Sequence, residues 1–138
     1  MTVTGLGNLA VKVGDLDAAV QFYERAGATV GDRGPWHGGE RADVYLGPVL
    51  ITLFTRALYE DTVSLPDDCF LHLAMFTDDV DAELAGHRVI WGPGEVEGSF
   101  GRRKIAFVEA PGDMRLELME QLAEPPGAGS APEEPPWK

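Results

Sequence analysis

The chain contains one sequence pattern twice. Residues 7–18 read GNLAVKVGDLDA and residues 71–82 read LHLAMFTDDVDA, with identical residues at one constant spacing. The residues in common are Leu9, Ala10, Asp15, Asp17 and Ala18, which recur as Leu73, Ala74, Asp79, Asp81 and Ala82. Such self-similarity predicts two copies of one supersecondary unit. One position changes its chemistry, because the second copy has His72 where the first has Asn8.

Each copy has the pattern of a strand followed by a helix. Residues 5–13 alternate between apolar and polar side chains, as a strand does, and residues 16–26 carry apolar side chains at helical spacing. Asp15 precedes this helix at the N-cap position, and Gly27 follows it where a helix commonly ends. The second copy predicts a strand at residues 70–76 and a helix at residues 79–85.

Three short strands are predicted after each helix. In the first half they are residues 28–32, 41–46 and 49–55, and in the second half residues 88–91, 104–109 and 114–120. The predicted fold class is therefore α+β, with two βαβββ modules. Neither module covers its own apolar face, so we expect the two to form a curved, partly closed, eight-stranded mixed sheet with the helices on its outer side.

The predicted domain organisation is simple. A chain of 138 residues suits one domain, which we place at residues 1–121, with modules at about 4–55 and 69–121 joined by a polar linker at 56–68. Residues 122–138, rich in Pro, Gly and Glu, are predicted to form a disordered tail. The chain has no apolar run of about 18 residues and no secretory signal pattern, which favours a cytoplasmic location.

The charge balance excludes some classes of partner. The chain has 23 acidic and 11 basic residues, for a formal net charge of −12. Binding to nucleic acid needs a basic surface, so neither nucleic acid nor an anionic membrane is expected as a partner. The short basic run at residues 102–104 is predicted to be a solvated strand edge.

Alternation along the strands places four polar residues on one face. Leu9 and its alternate neighbours should pack under the helix, which leaves Asn8 on the concave side of the sheet, and the same pattern places His72 there. Thr52 and Glu117, in the last strands of the two modules, fall on that side as well. A carboxylate between leucines needs a partner, because burying an unpaired charge is costly. Of these four residues, only His72 and Glu117 are strong ligands for a divalent metal.

The sequence resembles the vicinal oxygen chelate superfamily, which includes glyoxalase I, bleomycin-resistance proteins and extradiol dioxygenases. The resemblance covers residues 4–121 and rests on GLGNLAVKVGDLDAAVQFYERAGATV, FLHLAMFTDDVDA and GRRKIAFVEAPGDMRLELME. In metal-using members the equivalent of Asn8 is normally His, and that of Thr52 is often Glu or Gln. His72 and Glu117 match the other two ligand positions, so this chain keeps half of the family's metal site. The resemblance also implies a homodimer.

The first functional hypothesis is a binding protein that uses no cofactor. The resemblance to the drug-binding members implies that it sequesters a hydrophobic, polycyclic natural product or antibiotic, as in self-resistance within secondary metabolism. A flat ligand would be held by stacking and by a few polar contacts. The predicted ligand-binding residues are Asn8, Thr52, His72, Glu117, Trp36, Tyr45, Phe54, Phe70, Trp91, Phe100 and Met119.

The alternatives are enzymes, whether lyase, isomerase, epimerase or dioxygenase. One uses a divalent metal ion held by His72 and Glu117, with Asn8 as a third ligand. The other uses metal-free proton transfer, with Glu117 as general base beside His72. The sequence does not separate binding from metal-free catalysis, because the same buried pair serves both.

Overall fold

A computed structural model describes residues 3–98 and 100–124 of the chain. In the first half the elements are β1 (Val3–Lys12), α1 (Leu16–Arg25), β2 (Thr29–Trp36), β3 (Gly39–Leu46) and β4 (Val49–Phe54). In the second half they are β5 (Cys69–Thr77), α2 (Val80–Glu83), β6 (Val89–Gly98), β7 (Gly101–Ala110) and β8 (Met114–Ala123). The predicted α+β fold class, with two βαβββ modules, is confirmed.

The chain divides into two compact units. The first unit is Asn8–Leu71, and among the described residues the second unit is 3–7 together with 72–124. The strand order is β2-β3-β4-β1 in the first unit and β5-β8-β7-β6 in the second. Each unit contains both parallel and antiparallel strand pairs. Strands β1 and β4 pair in parallel, as do β5 and β8, whereas the other pairs within each unit are antiparallel.

In the first unit, α1 covers one face of the sheet. Asp15 caps the helix by accepting a 3.0 Å hydrogen bond from the backbone N–H of Ala18, as the sequence predicts. Leu16 and Val20 then pack against the sheet, in a core whose other buried members are Ala42, Val44, Ile51 and Leu53. Because side chains alternate along a strand, the residues between these core positions on β3 and β4 face away from the helix.

The second unit repeats this arrangement with a much shorter helix. Asp79 accepts a hydrogen bond from the backbone N–H of Ala82 at 3.1 Å, and Val80 packs on the sheet. The buried partners of Val80 are Ala106, Val108 and Leu118. Helix α2 ends at Glu83, two residues earlier than predicted, and Gly86 follows with a φ of 82°. That left-handed conformation cannot continue a helix.

Strands β2 and β6 are longer than the sequence predicts. The expected ends were residues 32 and 91, whereas the strands reach Trp36 and Gly98. The added part of β2 contains Pro35, and the added part of β6 contains Pro93. The pairing of β2 with β3 and that of β6 with β7 each include a register shift. They are the outermost strands of their units. A proline is tolerated there because it removes no hydrogen bond from a central ladder.

The segments outside the modules also differ in part from expectation. Strand β8 continues through Leu122 and Ala123, which the sequence assigned to the tail, and residues 125–138 lie outside the described residues. The polar linker at 56–68 is irregular. Within it, however, Tyr59 is completely buried and Ala57 is only 3% exposed. Within the described part of the chain, none of the helices has the length and apolar character needed to cross a membrane.

Candidate functional site

A buried histidine and a buried glutamate are hydrogen bonded in the second unit. Strands β5 and β8 run parallel, with Ala74 opposite Glu117, so His72 and Glu117 lie diagonally across adjacent strands on the face opposite α2. Nε2 of His72 is 3.1 Å from Oε1 of Glu117. Only 4% of His72 and 6% of Glu117 is exposed. The pair is therefore held in an environment that strengthens electrostatic interactions.

Arg103 of β7 lies on the other oxygen of the same carboxylate. Its Nη1 is 3.9 Å from Oε2 of Glu117 and donates a 2.9 Å hydrogen bond to the sulfur of Met119. The guanidinium also lies 5.3 Å from the centre of the Phe100 ring. Because Arg103 is only 5% exposed, its positive charge and the negative charge of Glu117 are largely withdrawn from water together.

Aromatic rings surround this His–Glu–Arg cluster, which we define as His72, Glu117 and Arg103. The Phe107 ring meets His72 edge to face at 4.8 Å, and Trp91 meets Phe107 in the same way at 5.9 Å. Phe76 and Phe100 form a third edge-to-face pair at 5.3 Å. Trp91, Phe76 and Phe100 keep part of their surface accessible. The cluster thus combines buried polar atoms with accessible ring surface.

The first unit carries a different polar arrangement at the equivalent strands. Asn8 donates from Nδ2 to Oγ1 of Thr52 at 2.9 Å, and Thr52 donates to Oδ1 of Asp43 at 3.3 Å. Nη1 of Arg41 lies 3.8 Å from Oδ2 of Asp43, and Arg41 also bonds Asp32 at 2.7 Å. All three members of the Asn8–Thr52–Asp43 chain are buried. The neutral side chains of Asn8 and Thr52 therefore stand at the positions where the second unit has His72 and Glu117.

Aromatic residues lie on the same face of the first unit. The Trp36 and Phe54 rings are 5.7 Å apart, and the guanidinium of Arg41 is 6.0 Å from the Trp36 ring. Tyr45 follows Asp43 by two residues on β3, so it shares that face. Burial, followed by the nearby carboxylates of Asp43 and Asp32, raises the pKa of Tyr45 above its ordinary value. The phenol therefore stays neutral at physiological pH.

The predicted site residues are brought together within each unit. Asn8 meets Thr52, and His72 meets Glu117, as the alternation of the strands implies. Met119 is completely buried and contacts Arg103, whereas Phe70 is 45% exposed. That all these residues serve one ligand remains a prediction.

Several residues of the two arrangements were not predicted as site residues, among them Asp43, Arg103 and Phe107. Arg103 belongs to the basic run that was predicted to be solvated, and this expectation is wrong because its guanidinium is buried against Glu117. Asp43 could have been found from the sequence ADV at residues 42–44, where a charged residue stands between two apolar residues of a strand. In the structure these apolar residues, Ala42 and Val44, pack under α1. A charge between two core positions of a central strand must face the opposite side.

Comparison with known proteins identifies the fold. No family model and no curated protein matches the chain. A hypothetical protein from Bacillus halodurans is similar in structure, with a TM-score of 0.65, 16% identity, and 86% of this chain and 95% of that chain covered.

Two enzymes of known activity are also similar in structure. A triple mutant of 4-hydroxymandelate synthase from Streptomyces coelicolor has a TM-score of 0.63 and 20% identity, covering 95% of this chain and 44% of that chain. The 2,2',3-trihydroxybiphenyl 1,2-dioxygenase from Sphingomonas wittichii has a TM-score of 0.58 and 18% identity, covering 88% and 44%. The chain therefore spans less than half the length of these two enzymes.

These similarities show that the chain has the fold of the vicinal oxygen chelate superfamily, to which both enzymes belong. The resemblance predicted from the sequence is confirmed at the level of the fold. The particular activity of the chain has to be argued from its own side chains, because one fold supports many functions.

The donor set does not fit the divalent metal that this superfamily implies. Of the four positions that the resemblance marks as metal ligands, two hold Asn8 and Thr52. The oxygen atoms of these two side chains are weak metal ligands, and the side chains are hydrogen bonded to each other. In the described part of the chain, no three His, Cys, Asp or Glu side chains are grouped so that they could hold a metal ion. In addition, the guanidinium of Arg103 lies 3.9 Å from Glu117 and opposes a second cation at that carboxylate.

Proposed function

We propose that the chain binds a small hydrophobic molecule, with a flat polycyclic natural product or antibiotic as the preferred class. One observation carries this proposal. Both carboxylate oxygens of Glu117 face groups of the protein itself, His72 at 3.1 Å and Arg103 at 3.9 Å. The negative charge is balanced within the protein, so the cluster suits hydrogen bonding to a ligand better than it suits holding a cation.

The rings around the cluster support the same proposal. Trp91, Phe76 and Phe100 keep ring surface accessible near the buried polar atoms of the cluster, and the buried Phe107 ring packs between His72 and Trp91. Ligand pockets in proteins combine mostly apolar walls with a few placed polar groups, and aromatic rings bind flat ligands by stacking or edge-to-face contact. A ligand held in this way needs no cofactor, and we propose none.

The biological form of this proposal is sequestration. A protein that withdraws a toxic hydrophobic compound from the cytoplasm would protect the cell that makes it or meets it. The test is to express the chain in a sensitive bacterium and measure growth inhibition by flat aromatic antibiotics. We expect the inhibitory concentration of at least one compound to rise in proportion to the amount of protein. Sequestration would be contradicted if the protein left the inhibitory concentration unchanged for every compound that it binds in vitro.

Binding itself is tested with a variant in which Trp91 is the only tryptophan. Trp36→Phe and Trp137→Phe remove the other two, and a panel of polycyclic aromatic compounds is titrated while Trp91 fluorescence is followed. We expect saturable quenching by at least one compound. Glu117→Gln should weaken that binding about tenfold, since a hydrogen bond to a charged group contributes about 1.5–3 kcal/mol.

The matched control for this titration is Glu95→Gln. Glu95 pairs with Arg102 at the surface, so its replacement removes the same charge outside the cluster. It should leave the dissociation constant unchanged. Thermal denaturation of both variants checks that each is folded. Absence of quenching by the whole panel, or equal binding by Glu117→Gln and the parent, would refute the proposal.

Metal-free proton transfer is the second candidate function. It is favoured by the direct contact between the His72 ring and the buried Glu117 carboxylate, because such a pair can accept and pass on a proton. The test uses any compound that quenches Trp91. The compound is incubated with the protein in deuterated water and examined by mass spectrometry. Deuterium incorporation that Glu117→Gln abolishes would establish catalysis, and an unchanged compound would leave binding alone.

We also propose that the chain forms a homodimer, as its resemblance to the superfamily implies. Support comes from large apolar side chains at the surface. Leu6 is 57% exposed, Phe22 is 64% exposed and Phe70 is 45% exposed. Contact with a second copy would remove such surface from water. Size-exclusion chromatography with light scattering should give twice the chain mass of 14.9 kDa, and a monomer at all concentrations would contradict the proposal.

A further inference from the structure

The hydrogen bonds of the Asn8–Thr52–Asp43 chain have a fixed direction. A carboxylate only accepts hydrogen bonds, so the hydrogen between Thr52 and Asp43 belongs to the Thr52 hydroxyl. That hydroxyl has a single hydrogen. Its oxygen must therefore accept from Asn8, and the group of Asn8 that faces Thr52 is the amide N–H, at 2.9 Å.

This direction determines what Asn8 offers on its other side. With Nδ2 turned to Thr52, the carbonyl oxygen Oδ1 points elsewhere. Oδ1 is buried and has no hydrogen-bond partner among the residues that the structure describes, and Asn8 as a whole is only 5% exposed. A buried acceptor without a donor is unfavourable, and only an N–H or O–H group can satisfy it.

We propose that the first unit contains a ligand-binding position at Asn8 Oδ1 that selects molecules carrying a hydroxyl donor, and that Asp43 is the positioning residue that sets this selectivity. Asp43 acts through Thr52, because it fixes the direction of the Thr52 hydroxyl and thereby the orientation of the Asn8 amide. From the proposed function we take only that the ligands are small aromatic molecules.

The surroundings of Asp43 favour a neutral donor. Nη1 of Arg41 lies 3.8 Å from the Asp43 carboxylate, so positive charge already occupies its second oxygen. An ammonium group buried at Asn8 would have to lose its hydration, whereas a phenolic or alcoholic hydroxyl donates a hydrogen bond without a charge to desolvate. Tyr45 lies on the same face of this unit and keeps part of its ring accessible to an aromatic hydroxyl compound, and the buried Phe54 and Trp36 rings pack against each other on that face. The ligand class is therefore a hydroxylated aromatic compound.

The experiment compares two ligands of nearly equal shape. 4-Phenylphenol carries a hydroxyl that donates, and 4-methoxybiphenyl replaces it with an ether that only accepts. Calorimetry gives the two dissociation constants, and the ¹⁵N side-chain amide signals of Asn8 report whether binding occurs at this position. The parent protein should bind the phenol at least about tenfold more tightly than the ether.

Asp43→Asn is expected to reverse the preference. The new side chain would turn its carbonyl towards Arg41 and its amide towards Thr52, because a guanidinium only donates. The Thr52 hydroxyl would then donate to Asn8 Oδ1, and the Asn8 amide would present N–H to the ligand. The ether should become the better ligand, which a merely structural role of Asp43 would not produce.

Two variants of Thr52 keep the test decisive if Asp43→Asn does not fold. Thr52→Val has the same shape and lacks the hydroxyl, so the ratio of the two dissociation constants should fall towards one. Thr52→Ser retains the hydroxyl and should retain the parent ratio. An unchanged ratio in Asp43→Asn or Thr52→Val overturns the inference. If Asn8 signals do not move while Trp91 is still quenched, the inference fails and the proposed binding function stands.

Discussion

Lys12 and Glu60 form a partly buried ion pair that joins the end of β1 to the segment between β4 and β5. Their side chains are 8% and 18% exposed, and Glu60 also accepts a 3.0 Å hydrogen bond from the backbone N–H of Ala57. The segment that the sequence presents as a polar linker is therefore held by charge as well as by the buried Tyr59 ring. The pair lies within the first unit and stabilises an otherwise irregular stretch.

Replacement of Lys12 by methionine tests this pair. Lys12→Met should lower the free energy of unfolding by about 1–3 kcal/mol, because it leaves a mostly buried carboxylate without its cation. Urea denaturation at pH 7 measures the change. Arg88→Met is the control, since Arg88 and Glu109 form an exposed pair, and it should cost less than about 1 kcal/mol. Equal effects of the two substitutions would contradict the assigned role of Lys12.

The same pair predicts a dependence of stability on pH. Partial burial alone would raise the pKa of Glu60, but the hydrogen bonds from Lys12 and Ala57 outweigh it and lower the pKa below the ordinary 4.5. A lowered pKa in the folded state means that this contribution is complete above the unfolded pKa and is lost as pH falls through the folded one. Denaturation between about pH 2 and pH 6 should show a smaller loss in Lys12→Met than in the parent.

Arg103 should limit metal binding by the second unit. Removing its guanidinium from the neighbourhood of Glu117 should let His72 and Glu117 bind Zn²⁺ at least about tenfold more tightly than the parent does. Arg103→Met is compared with Arg102→Met, whose parent side chain pairs with Glu95 at the surface. Calorimetric titration with Zn²⁺ gives both constants. Identical affinities in the two variants would show that the guanidinium does not oppose a cation there.

Gly7 leaves room for a buried methionine in the second unit. A Cβ at this position would lie 2.3 Å from Cε of Met119 and 3.4 Å from the backbone oxygen of Ala74. Gly7→Ala should therefore cost about 1–3 kcal/mol in thermal or chemical denaturation. The control Gly5→Ala meets nothing within 4 Å and should be nearly neutral. In a Met119→Ala background the cost of Gly7→Ala should fall, and undiminished cost there would show that another contact is responsible.

The sequence predicts those features that depend on local pattern. The duplication, the N-cap at Asp15 and the pairing of His72 with Glu117 all follow from repeat spacing and strand alternation. Asp79, which was predicted as the first residue of α2, is instead its N-cap. The ends of β2 and β6 do not, because Pro and Gly usually interrupt strands and only the position at the edge permits them here. The burial of Arg103 was missed because its partner Glu117 lies on another strand, and exposure is the usual state of a basic run.

The two copies of the repeat carry different polar pairs, and this difference has an evolutionary consequence. Asn8 and Thr52 satisfy each other within the first unit, and His72 and Glu117 do so within the second. Mutation of either pair therefore leaves the internal bonding of its counterpart intact. In a duplicated gene of this kind, the polar residues of one copy can change while those of the other copy keep their own hydrogen bond.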